Sequence, residues 1–176
     1  MKISHNFIEL HFQMRVTKEY ILIMTLIFIW CLLITVPPVF AFIFGEGNST
    51  VKILYHFYSP ICHQFDSHSI HIFSHKLAVC ARCSSIYSGF FIGGLALPLI
   101  KRYRVRSNIK LWIIASVPMV IDVALDMVGI HYATLLSRIY TGFVFGTAAA
   151  IILIPILREA INSLSLQLFS FRRSSS

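Results

Sequence analysis

Tyr20–Phe44, "YILIMTLIFIWCLLITVPPVFAFIF", runs for 25 residues without a charged side chain. About 20 apolar residues are enough for a helix to cross the hydrocarbon core of a bilayer. Apolar residues cover every face of this helix, unlike the one-sided pattern of a soluble surface helix. The stretch therefore reads as a membrane span. It is far longer than the roughly 7–15 apolar residues of a signal peptide, so the weak cleavage-like "VFA" ending at Ala41 is read as part of the span.

Three further apolar runs follow: Ser84–Ile100, Leu111–Ile130 and Ile139–Leu157. The Ser84 run is short and is expected to begin slightly upstream. Across the 176 residues, hydrophobic side chains make up 57% and charged ones 12%. A soluble domain carries about 25% charged residues, so this chain lacks the polar surface to stay dissolved. The net charge of +8 does not indicate nucleic acid, because the basic residues sit at the ends of the apolar runs. The expected partner is the lipid bilayer. A membrane-protein partner or a homo-oligomer is compatible with the sequence, which identifies neither.

Basic residues beside spans favour the cytoplasm. Lys2, Arg15 and Lys18 precede the first run. Lys101, Arg102, Arg104, Arg106 and Lys110 separate the second and third. Arg158, Arg172 and Arg173 follow the fourth. Four spans put all of these on one side. The expected architecture is all-α: an integral membrane bundle of four transmembrane helices with a small extracytoplasmic Cys/His-rich cap. Residues 1–19 and 158–176 are cytoplasmic tails, 20–157 form one membrane domain, and 45–83 lie outside the cell membrane.

That outer segment gathers the reactive side chains. After the turn "GEGNST", "VKILYHFYSP" reads as a short amphipathic helix ended by Pro60. The alternation in "SIHIFSHKLAV" reads as a hairpin. It returns the chain to Cys80-Ala-Arg-Cys83 at the start of the second span.

A Cys-x-x-Cys pair brings two sulfurs within reach of one ion, and Cys62 supplies a third if the hairpin folds back. His63, His68, His71 and His75 are candidates for a fourth ligand. His63 adjoins Cys62 and is taken with Cys62, Cys80 and Cys83 as the expected set. Thiolates with imidazole suit one Zn2+ ion, though Cu(I) and iron also accept such donors. The same cysteines support a thiol–disulfide oxidoreductase, since Cys80 and Cys83 lie at a helix N-terminus beside Arg82. They also support a stapling disulfide with an odd thiol.

The third span carries Asp122 and Asp126, spaced i, i+4 on one helix face. A charge at the bilayer centre costs about 2.5–3.5 kcal/mol on insertion scales, so a buried partner or a wet cavity is expected. At 1.5 Å per residue, Asp122 lies about 17 Å and Asp126 about 23 Å from the inner end. Both fall in the outer half with Arg82, His131 and Arg138. Arg138 is the expected ion-pair partner of Asp122 or Asp126. A small transporter using these carboxylates is the further alternative. "GFFIG" (Gly89–Gly93) and "GFVFG" (Gly142–Gly146) predict close packing of the second and fourth helices.

"CHQ" at Cys62–Gln64 and "CARC" at Cys80–Cys83, the latter followed by Ile86, Tyr87 and Gly89, resemble a family of prokaryotic membrane proteins. The family is catalogued as domain of unknown function 2085. Its pattern continues with an Asp, here Asp122, and an Arg-x-x-Thr-Gly, here Arg138, Thr141 and Gly142. The resemblance covers roughly residues 54–146 and implies an architecture and a choice of site residues, Gln64 among them. It implies no chemistry. Two departures stand out. His68-Ser69 replaces the family's usual Arg-Ser, which removes a cation that anion binding there would use. Ser84-Ser85 replaces its Thr-Gly.

Overall fold

A computed structural model describes residues 16–99, 109–129 and 134–174. These fold into α1 (Lys18–Leu33), α2 (Val36–Phe44), α3 (Ser49–Tyr58), a hairpin of β1 (His71–Ile72) and β2 (His75–Lys76), α4 (Ala81–Ala96), α5 (Ile109–Met127) and α6 (Leu135–Ser174). All four apolar runs are helical over most of their described residues. Among the described residues, two stretches, Lys18–Phe44 and Leu135–Ser165, are long and apolar enough to cross a membrane.

The first run breaks after Leu33 for a local reason. Pro37 and Pro38 have no N–H to donate, and their rings clash with a preceding helical turn. They are tolerated in the first turn of a new helix, and α2 takes both there. Thr35 Oγ1 donates to the Leu32 carbonyl at 2.7 Å and covers the break. At the other end of α1, the Thr17 hydroxyl accepts from the Tyr20 N–H and caps the helix. Helix α2 stops at Gly45, whose φ of +79° suits only a residue without a Cβ.

Helices α4 and α6 form the central pair. Gly89 and Gly93 of α4 face Phe143 and Thr147 of α6, and Gly142 and Gly146 of α6 face Arg82, Ser85 and Ile86 of α4. A Cβ on Gly93 would meet Thr147 Cα at 3.0 Å. The two glycine patterns therefore let one pair of backbones approach closely, as the sequence predicts. Thr147 Oγ1 donates across this seam to the Gly89 carbonyl at 3.2 Å. Helix α1 packs against the pair through Tyr20, Ile23 and Met24, which meet Leu97, Ala150 and Ile154.

Helix α6 runs for 40 residues, so it continues well past Arg158 into the segment that its charges mark as a tail. Helix α5 is the peripheral element. Its Ile113, Ile114, Val120 and Ile121 are exposed, and polar ties described below help to hold it.

The segment between α2 and α4 folds on itself. Asn48 caps α3 by accepting from the Thr50 N–H at 2.8 Å. The strands pair His71 with Lys76 and Ile72 with His75. Phe73 and Ser74 make the two-residue turn, both with positive φ, a conformation that favours Gly or Asn. The Phe73 ring stacks on Phe42 at 4.8 Å, a contact that accompanies this unfavourable backbone. Beneath the hairpin, Ile34, Tyr58, Cys62, Leu77, Ala78 and Val79 form a second buried cluster.

Candidate metal centre

Three elements deliver the three cysteines to one point. Cys62 lies just past the end of α3, and its N–H donates to the Tyr58 carbonyl at 3.0 Å. The hairpin then carries the chain back, fixed by the Leu77 N–H to the Ile70 carbonyl at 2.8 Å. Cys80 is the N-cap of α4 with extended backbone, and Cys83 lies one turn further on. The three Sγ atoms all lie within 4.8 Å of one another. Each is a free cysteine, Cys62 buried and the other two half-buried.

The Cys80 N–H donates to Cys62 Sγ at 3.1 Å. The sulfur accepts from the N–H of the N-cap residue itself, at a helix start where unpaired N–H groups favour negative charge. Hydrogen bonds from the Cys80 and Cys83 thiols, helped by backbone N–H groups of Cys80 and Gln64, hold the Cys62 thiol below its ordinary pKa, against burial. One thiolate is therefore stabilised before any ion is considered. Trp30 and Tyr87 pack against the buried cluster that contains Cys62, so its wall is aromatic.

His63 points elsewhere. It is exposed and stacks on Phe65 with ring centres 6.0 Å apart, and it does not join the three-sulfur group. Gln64 has φ of +52° and works as a clamp. Its Nε2 donates to the Tyr55 carbonyl at 2.7 Å, and its own carbonyl accepts from Lys76 Nζ at 3.1 Å. His131 lies outside the described residues.

The buried charges pair beside the cysteines. Arg82, between Cys80 and Cys83 in sequence, reaches Asp122 of α5, which also accepts from the Ser137 hydroxyl of α6. Arg138 pairs with Asp126 at 2.7 Å. Its Nη2 also lies 3.2 Å from His68 Nε2. An Arg can only donate, so that His68 nitrogen is the acceptor. Of the two partners the sequence allowed Arg138, the structure selects Asp126. The Arg82–Asp122 pair, Ser137 and the His68 contact are not anticipated from sequence. The nearest signal was the common depth of Arg82 and Asp122.

The fold and the site define a helical protein with bilayer-length apolar helices and a three-thiol cluster between α3 and α4. Its family follows from sequence: the chain belongs to the family described as predicted membrane protein (DUF2085), whose model matches residues 62–152. It is also similar to an uncharacterized protein of Methanocaldococcus jannaschii, 36% identical over 150 residues that cover 82% of this chain and 96% of the relative. No solved structure matches the chain.

Proposed function

We propose that this chain is a four-span membrane protein whose extracytoplasmic segment 45–83 holds one metal ion on Cys62, Cys80 and Cys83. The observation that carries the reading is the convergence of three sulfurs within 4.8 Å, although Cys62 and Cys80 are 18 residues apart in sequence. Hydrophobic packing alone does not require three thiols at one point. The donor set is soft, which suits Zn2+ and excludes hard-cation sites of the Ca2+ or Mg2+ kind.

The four-span reading rests on α4 and α5 as well as on the two longer stretches. Helix α5 carries Lys110, Asp122 and Asp126, a heavy charge load for an isolated span. Both carboxylates are ion-paired, to Arg82 and Arg138, which offsets that cost. The basic segments then fall on the cytoplasmic side and the cysteines on the outer side.

Metal content separates this reading from its nearest rival. Wild-type protein purified in mild detergent without chelator is expected to hold about one zinc per chain by elemental mass spectrometry, and Cys62→Ser to lose it. Thiol–disulfide exchange is the second reading, favoured by the stabilised Cys62 thiolate. It predicts no metal, with two of the three cysteines oxidised. The transporter reading gains nothing from Asp122 and Asp126, which are both paired.

A further inference from the structure

The chain supplies three sulfurs, and tetrahedral zinc takes four donors. None of the histidines named from sequence as a fourth ligand joins the three-sulfur group. His63 stacks on Phe65. His68 Nε2 faces Arg138 at 3.2 Å. His71 Nε2 is 3.2 Å from Asp66, and His75 Nδ1 is 2.8 Å from Glu46. The Gln64 amide is held by the Tyr55 carbonyl. Among the described residues, no fourth Cys, His, Asp or Glu joins the cluster. Cys80 and Cys83 are half-buried, so the site has one side toward the surface.

Charge narrows what completes the shell. A divalent ion with three thiolates carries one net negative charge. A fourth anionic donor would raise that to two, and the nearby cations are already engaged. Arg82 is paired with Asp122, Arg138 with Asp126, and Lys76 donates to the Gln64 carbonyl. A neutral donor carries no such penalty.

We infer that the fourth coordination position is exchangeable and is filled from outside the chain by a small neutral donor: water at rest, replaceable by a neutral nitrogen ligand. This rests on the metal reading above. It makes the centre one that binds a ligand on the ion, since structural zinc sites are closed by four protein donors and ligand-binding ones keep a position open.

Cobalt tests it, because Co2+ in a thiolate site is coloured. The full chain in detergent is loaded with Co2+ and titrated with imidazole. The expected result is a saturable shift of the ligand-field bands, with one imidazole per cobalt and the thiolate-to-cobalt charge-transfer bands retained. His63→Ala and His131→Ala are expected to respond like the wild type.

Ligand-field bands that ignore imidazole overturn the inference. So do bands already altered in either histidine variant before imidazole is added, which identify a protein-derived fourth ligand. Loss of the charge-transfer bands on titration also overturns it, since imidazole then removes the ion. Failure of the underlying reading looks different: no charge-transfer bands appear at any cobalt concentration.

Discussion

Arg82→Met is the most informative substitution, because it removes one member of a buried pair and keeps the apolar stem. The Arg82 side chain is 13% exposed and that of Asp122 is 9%. Removing one partner of such a pair leaves an uncompensated buried charge and costs about 3–5 kcal/mol. The Ser137 hydroxyl still donates to Asp122, which places the expected loss near the lower end, about 3 kcal/mol. That is roughly a hundredfold in the unfolding equilibrium.

Trp30 packs against Tyr58 and Tyr87 beside the cysteine cluster, so its fluorescence reports unfolding in mixed micelles. Chelator in every sample keeps metal loss from contributing. Arg82→Met combined with Asp122→Leu removes both charges and is expected to return to within about 1 kcal/mol of the wild type. A single-variant loss below about 1 kcal/mol would refute the reasoning. So would a double variant as unstable as the single one.

The remaining expectations concern the glycine seam, the hairpin and the orientation. Gly142→Ala puts a Cβ into Arg82 and Ser85 of α4 and is expected to destabilise by about 1–3 kcal/mol, while Gly47→Ala, with nothing within 4 Å, leaves the same melting curve unchanged. Burial, aided by the Glu46 charge, raises the Tyr55 pKa to about 12. The fold favours the neutral phenol, whose hydroxyl donates to the Lys76 carbonyl at 2.5 Å. Its contribution is therefore complete below about pH 10, the unperturbed value, and is lost as pH rises toward 12. Tyr55→Phe should remove that alkaline component from a pH series of unfolding curves, and an unchanged profile would contradict the assignment. After metal removal and reduction, a membrane-impermeant thiol reagent should label Cys80 on intact cells; labelling only after lysis would reverse the orientation.

Much of the fold is legible because each element carries a local signal. Apolar runs show as helices and the alternation in residues 69–79 shows as a hairpin, whereas the break at Pro37 and Pro38 falls inside a stretch that reads as one span. The glycine pairs point to the α4–α6 seam because a small-residue pattern has one physical use at a helix contact. The length of α6 was less visible. Charge at Arg158 suggested a tail, yet no Gly or Pro follows Pro155, so nothing stops the helix there.

The site was legible in its cysteines and not in its surroundings. Cys62 and His63 are neighbours in sequence, but the chain turns at Gln64 with positive φ and the imidazole lies against Phe65. Adjacent residues need not share a direction. Asp122 and Asp126 were readable as one helix face. How they divide between Arg82 and Arg138 depends on where the glycine seam sets α4 against α6, which no single segment encodes.

The central claim is a metal held by three cysteine sulfurs, and X-ray absorption at the edge of the bound metal tests it most directly. The account predicts a shell of three sulfurs at about 2.3 Å with one lighter donor near 2.0–2.1 Å. A protein that carries no metal when purified without chelator, or a bound ion surrounded only by oxygen and nitrogen, would contradict it.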